Sequence, residues 1–289
     1  MRSAKRKALT TLAGLALAAG AAAAGGGPAA AYEIVPHRAI YGLDLASSRS
    51  GARISDVDGR MLFKWEETCD GWVIEQRYLM TFLYNEGDSM ERTITYTTWE
   101  SKSGLEFTFT YRGETDGRVT EEFRGSAELD SVGGPGEYTY RVPEERVAPL
   151  PDNTYFPTRH TLALLEHAEA GEPLFFSRLF DGSGESGLWE INAFVGADAA
   201  RADNASAGSA GSGGGDGAGG DARVLLSGRS WPVQLAFFAM PEVASTPEYE
   251  MDMRLFESGA VGEMRIDYGD FAIDARLSRA ERLEPPECQ

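Results

Sequence analysis

The sequence is poor in the residues that most catalytic and metal sites require. Its 289 residues include only two cysteines, Cys69 and Cys288, and three histidines, His37, His160 and His167. No C-x-x-C occurs, which excludes a thioredoxin-like redox motif. No H-E-x-x-H occurs either. His160 and His167 fall on one expected helix, separated by about 10 Å along its axis at roughly 1.5 Å per residue. Zinc–nitrogen bonds of about 2.0–2.1 Å cannot bridge that gap. Exposed or capping histidines are therefore expected there. His37 lies just before the first expected strand, with no partner visible in the sequence. No metal and no cofactor are expected. Long apolar runs are also missing: after residue 31 no stretch of about 18 apolar residues exists, so no transmembrane helix is expected. Positive charge is scarce, with 27 Lys and Arg against 45 Asp and Glu and a net charge of −18. Phosphate backbones would repel such a chain, which argues against nucleic-acid binding.

Candidate catalytic motifs fail on inspection. Gly184-Glu185-Ser186-Gly187-Leu188 would need a glycine at 188 to form an esterase elbow, and a strand–turn–strand context is wrong for one. Asp56-Val57-Asp58-Gly59 and Asp181-Gly182-Ser183-Gly184-Glu185 are oxygen-rich, but neither continues into the ligand array of a calcium loop. Glu66-Glu67 and Glu121-Glu122 are adjacent strand residues. They point to opposite faces and cannot act together as a carboxylate pair. No catalytic residue is assigned.

What the chain does contain begins with a leader. Arg2, Lys5, Arg6 and Lys7 precede an Ala/Leu/Gly-rich run that ends in Ala29-Ala30-Ala31. A charged segment, an apolar segment and an A-x-A site mark a secretory signal peptide over residues 1–31. Its removal takes away four positive charges, so residues 32–289 carry −22 rather than −18. An exported chain meets an oxidising compartment, which predicts a disulfide between Cys69 and Cys288.

Alternation of apolar and polar residues dominates the remainder. It runs through Arg38–Leu45, Arg60–Trp65, Trp72–Met80, Arg92–Glu100, Leu105–Arg112, Val119–Arg124 and Glu137–Val142. It returns in Leu174–Phe180, Leu188–Val195, Val224–Leu226, Val233–Met240, Glu248–Phe256, Gly262–Tyr268 and Phe271–Leu283. Period-2 patterning of this kind predicts about 14 strands and an all-β barrel or large curved sheet. Turns are expected at Asp58-Gly59, Asp70-Gly71, Asn85–Asp88, Ser103-Gly104 and Asp116-Gly117. One helix is expected over Pro157–Ala170, with Pro157 in its first turn, Gly171 as its stop and Leu162, Leu165 and Ala168 along an apolar stripe. Ala197–Ala222 is almost wholly Ala, Gly, Ser, Asp and Asn. It reads as a flexible insertion between two strands. Residues 32–289 otherwise form one domain. Aromatics such as Trp65, Trp189, Phe107, Phe109, Phe175 and Phe237 recur on the strands. A core needs such residues, and so does a cavity for an acyl chain or apolar peptide.

Several segments recur in a recognisable order. They are Pro36-His37-Arg38-Ala39-Ile40-Tyr41, the Trp65…Cys69-Asp70-Gly71-Trp72 hairpin, Phe156-Pro157-Thr158-Arg159-His160-Thr161, Phe180–Val195, and Met251–Leu283 followed by the final cysteine. Together they resemble the EipB family of alphaproteobacterial periplasmic proteins, associated with cell envelope integrity. The resemblance implies a β-spiral, a sheet of about 14 antiparallel strands wound into an incomplete barrel. It is similar in shape to lipoprotein carriers of the LolA/LolB type. It further implies a disulfide between early and late segments, which Cys69 and Cys288 match. No enzymatic activity is implied. A hydrophobic concavity for a lipid or peptide is implied, as is a periplasmic tetratricopeptide-repeat partner. Ala197–Ala222 departs from the family pattern in length. The expected function is a non-enzymatic periplasmic protein that supports envelope integrity and holds an apolar ligand or peptide. A lipid or lipoprotein carrier and a periplasmic hydrolase are the alternatives. No ligand-binding residue is assigned from sequence.

Overall fold

A computed structural model describes residues 34–198, 216–240 and 245–288. The expected leader, residues 1–31, and residues 199–215 of the insertion lie outside that set. Strands alternate their side chains between two faces, and nearly every described strand buries one face. The first half contributes β1 (His37–Ser48), β2 (Ile54–Glu67), β3 (Gly71–Tyr84), β4 (Ser89–Ser101), β5 (Glu106–Thr115), β6 (Arg118–Leu129), β7 (Gly136–Val142), β8 (Arg146–Leu150) and β9 (Thr154–Tyr155). Helix α1 (Pro157–Ala170) follows. The second half contributes β10 (Leu174–Phe180), β11 (Leu188–Val195), helix α2 (Asp216–Leu225), β12 (Ser230–Ala239), β13 (Tyr249–Phe256), β14 (Val261–Asp267) and β15 (Phe271–Arg282).

All 15 strands join one sheet, in the order β8-β7-β6-β5-β4-β3-β2-β1-β15-β14-β13-β12-β11-β10-β9. Every neighbouring pair is antiparallel except β9–β10, which is parallel. The first and last long strands pair at the centre of the order, from His37↔Arg282 to Ser48↔Phe271. The two free ends, β8 and β9, are consecutive in sequence, so the sheet returns on itself as a nearly closed barrel with one seam. This is the all-β, wound-sheet architecture expected from the alternation.

The strand count differs from expectation at three places. Val224–Leu226 is not a strand: Val224 and Leu225 end helix α2, and Leu225 buries itself against Ala260 and Ala280. The last seven residues of the expected flexible insertion, 216–222, lie in that same helix. Strands β8 and β9 were not expected. Asp58-Gly59 is no turn but lies inside β2, where Asp58 pairs with Thr81 and Gly59 with Met80. Asp116-Gly117 does form the expected tight hairpin, with both φ angles positive at 49° and 72°.

Helix α1 matches the expected span and stops at Gly171, whose φ is 68°. Its Ala163, Leu164, Leu165 and Ala168 are buried against Trp65, Trp72 and Ile74 of β2–β3 and against Phe175, Ile191 and Trp231 of β10–β12. These partners come from both halves of the sheet and share one end of it, so the helix plugs that end. Cys69 in the β2–β3 turn and Cys288 beyond β15 are joined by a disulfide, with Cα atoms 5.6 Å apart.

Candidate functional site: the inner wall of the barrel

The register defines which side chains face inward. Opposed residues on neighbouring strands share a face. The run Met253↔Met264, Met264↔Ala275, Ala275↔Leu43 therefore marks one inner row, and Met251↔Ile266↔Ile273↔Leu45 marks the next. On the other half, Tyr78↔Ile94, Met80↔Arg92, Phe82↔Met90 and Tyr96↔Tyr111 lie on the same face. Met61, Met80, Met90, Met251, Met253 and Met264 all point inward, six of the eight methionines in the chain. Thioether side chains are unbranched and polarisable, and they adapt to ligands of irregular shape.

The end opposite α1 carries a chain of touching rings. Trp189 meets Tyr249 at 5.6 Å, Tyr249 meets Tyr268 at 5.9 Å, Tyr268 meets Phe271 at 5.1 Å, and Phe271 meets Phe82 at 6.2 Å. Beside it the β1–β2, β3–β4 and β5–β6 hairpin tips enclose a groove of about 460 Å³, lined by Arg53, Tyr84, Glu86, Asp88, Met90 and Asp116 among others. Tyr78, Tyr96, Tyr111 and Tyr249 face inward and keep part of their surface accessible. Burial nonetheless drives each phenol pKa upward. These half-buried phenols line an inner wall in which Leu43, Met61, Phe82, Ile273 and Ala275 are packed as core.

Polar groups on the inner face are few and paired. Arg92 donates to Thr115 at 3.0 Å and to Thr120 at 2.7 Å, and it pairs with Glu121. Gly113 lets this pair meet, because a Cβ there would lie 2.7 Å from Arg92 Nη2. Glu100 is buried on β4 and accepts the backbone N–H groups of Thr158 at 2.6 Å and Arg159 at 2.8 Å. It thereby caps helix α1. Burial pushes its pKa up to about 7, against the two N–H bonds.

The histidines do not behave as expected. His160 is buried, 4% exposed, and its Nε2 lies 2.9 Å from Ser177 Oγ. Burial lowers its pKa to about 4. It tethers α1 to β10 and is neither exposed nor a cap. His167 is half-buried and stacks on Phe175 at 4.4 Å. His37 opens β1, with Nδ1 2.7 Å from the Val35 carbonyl. Ser177 is 2% exposed, so the Ser–His contact lies sealed beneath the helix. Glu66 and Glu67 form separate ion pairs with Lys64 and Lys102. Glu121 pairs with Arg92, and Glu122 with Arg124. Among the described residues no cluster of three or more His, Cys, Asp or Glu is arranged to hold a metal ion.

The seam is closed by side chains rather than by a ladder. Tyr96 and Tyr140 donate their hydroxyls to the carbonyls of Asp181 and Gly184, and Arg146 donates to that of Glu185. Gly182 and Gly187 hold φ angles of 70° and 58°, and a Cβ on Gly182 would run into the Phe109 ring. The turn at 182–187, between β10 and β11, thus lies against the β4–β8 side of the barrel. Asp181 is held there by Ser183, whose N and Oγ both lie 2.8 Å from its Oδ1. Burial raises the Asp181 pKa to about 6, against those two bonds.

Residues 28–284 match the family model described as EipB-like. The chain belongs to that family. One relative of this EipB-like chain is the cell envelope integrity protein EipB of Brucella abortus (strain 2308), 28% identical over 256 residues, covering 88% of this chain and 86% of the relative. A crystal structure of a beta-barrel-like protein of domain of unknown function DUF1849 from Brucella abortus superposes with a TM-score of 0.74 at 27% identity. It covers 88% of this chain and all of the other. The family is named for envelope integrity, not for a reaction.

Proposed function

We propose that this chain is a periplasmic protein that supports envelope integrity by holding an apolar chain, a lipid acyl tail or an extended apolar peptide, inside its barrel. It does so without catalysing a reaction. The observation that carries this reading is the methionine- and tyrosine-rich inner wall, in which Tyr78, Met80, Tyr249, Met251, Met253 and Met264 are only half-buried. Methionine supplies adaptable apolar contact. Phenol hydroxyls give the few polar contacts that orient a guest. The leader over residues 1–31 and the disulfide support export to an oxidising compartment. The relative's name supports the envelope role.

Native mass spectrometry of protein purified gently from a periplasm tests the reading, together with titration by a fluorescent fatty acid and an apolar peptide. A bound mass, or saturable uptake that weakens in Met251→Glu and Met264→Glu, is expected. Protein that is reproducibly empty and takes up neither probe overturns it. Transfer of an acyl chain between vesicles would place the protein among carriers rather than holders. We further propose engagement of a tetratricopeptide-repeat protein, tested by co-purification of that partner with the tagged chain.

A further inference from the structure

A second surface lies on the outside of the barrel. On the outward faces of β10 and β11, Leu174, Phe176 and Phe194 are exposed by 55%, 58% and 47%. Leu174 pairs directly with Phe194 across the two strands. The patch continues over Ala236 of β12 and ends at Glu250 and Asp252 of β13, forming a shallow groove of about 260 Å³. One end of the groove is apolar and the other carries carboxylates.

The charged end carries two carboxylates, Glu250 and Asp252, that take part in no ion pair among the described residues. Glu250 sits opposite Asp267 on β14 and makes no ion pair among the described residues. Asp252 sits opposite Arg265, but that guanidinium is held at 2.7 Å and 3.1 Å by the Asp274 carboxylate. Among the described residues Asp252 accepts a hydrogen bond from the Gln234 amide, at 2.7 Å, and makes no ion pair. Large apolar side chains grouped in this way on a soluble surface mark an interaction site. The charge selects among occupants. A second copy meeting this face about a two-fold axis through its middle would set each acidic end against the partner's apolar end and desolvate carboxylates without a cation. An anionic lipid surface would be repelled by the same groups and by a net charge of −18. Residues 199–215 supply no large apolar side chain with which the chain might cover the patch itself.

We infer that the outer face of β10–β13 docks another protein through a segment that sets aliphatic or aromatic side chains beside Lys or Arg. The face uses outward side chains, so it operates independently of any guest inside the barrel.

The test uses the full mature chain and short labelled amphipathic peptides, one built of Leu and Lys and one of Leu and Glu, read by fluorescence anisotropy. The Leu/Lys peptide should bind, more weakly as salt rises, and the Leu/Glu peptide should not. Phe176→Ser with Phe194→Ser should weaken binding about tenfold or more, equivalent to roughly 1.4 kcal/mol or more. Glu250→Lys with Asp252→Lys should do the same, while Glu106→Lys with Glu128→Lys, exposed and opposed on the outside of β5–β6, should not. Unchanged thermal melting shows that the variants fold, and the two pairs fail independently if one does not. Equal binding by all variants overturns the proposal. So does salt-independent binding of both peptides, self-association abolished by Phe176→Ser, or co-sedimentation with phosphatidylglycerol vesicles through this face.

Discussion

Glu100 acts as a helix cap from a distance. Phe156 occupies the cap position of α1 and has no side-chain acceptor, so the first N–H groups need a partner from elsewhere. The carboxylate of β4 supplies it, where the helix N-terminus favours negative charge. The amide of Glu100→Gln offers one acceptor oxygen and sets an NH₂ against a helix N–H. Its effect on denaturant unfolding is therefore expected to depend on pH. Two buried groups then titrate in opposite senses. The folded pKa of Glu100 is raised from 4.5 to about 7. Its stabilising contribution is therefore complete below the unfolded value and lost as pH rises through the folded one. His160 is lowered from 6.5 to about 4, so its contribution is complete above 6.5 and lost as pH falls through 4. Asp181 acts in the Glu100 direction and His37 in the His160 direction. Wild-type stability should thus change little across the overlap. Glu100→Gln should make stability rise more steeply with pH than in wild type, and His160→Gln should tilt it the other way. Urea midpoints at a series of pH values decide this. Identical slopes in both variants would refute the assignment.

At the scale of elements, the seam depends on a turn. The sheet has two free ends, and β8 carries Pro149, a residue suited to an edge because it has no N–H to offer a further strand. Tyr96, Tyr140 and Arg146 bind carbonyls of the Asp181–Glu185 segment instead. Removing Tyr140→Phe and Arg146→Ala together should speed amide exchange in residues 181–188 and in β8 by tenfold or more, about 1.4 kcal/mol in local opening. Exchange in β1 and β15 should remain slow. Uniform acceleration across all strands would mean that the turn supports the whole barrel rather than its seam. Much of this architecture is legible in the sequence, because a half-buried strand writes a period-2 pattern that needs no knowledge of its neighbours. The pattern fails where tertiary context decides. Val224 and Leu225 look like a strand but end a helix in which Leu225 is buried and Val224 exposed. Thr154–Tyr155 is too short to show a period. Asp58-Gly59 carries turn chemistry, yet Gly59 sits inside β2 because a side chain there would collide with the Leu79 carbonyl at 2.5 Å. Glu100 and His160 are invisible as buried groups, since their partners lie on other elements. The inner wall is only half legible: the alternation marks inward residues, but filled and open interiors call for the same side chains.

At the scale of the molecule, the first and last described strands lie in the middle of the sheet. β1 and β15 pair along their length, and the strands then run outward in both directions to the seam. Most pairings in each half are between sequence neighbours. The β1–β15 ladder is the strand pairing of longest sequence range, and the Cys69–Cys288 bridge stands beside it with a sequence separation of 219 residues. In the unfolded chain that bridge removes loop entropy worth roughly 5 kcal/mol in the chain-entropy account, because cross-linked loops of this length lose many open conformations. In the folded barrel it joins the β2–β3 turn to a tail that already follows β15, where Leu283 donates its N–H to the Pro36 carbonyl. Cys69→Ser and Cys288→Ser should each lower the thermal midpoint under oxidising conditions. The double variant should fall no further than either single one, since one covalent bond is lost in every case. Reductant should bring wild type down to the same midpoint and leave the variants unmoved. Destabilisation that adds across the two sites would show that the thiols matter through packing. A wild-type midpoint indifferent to reductant would show that the non-covalent contacts unite the halves without the bridge.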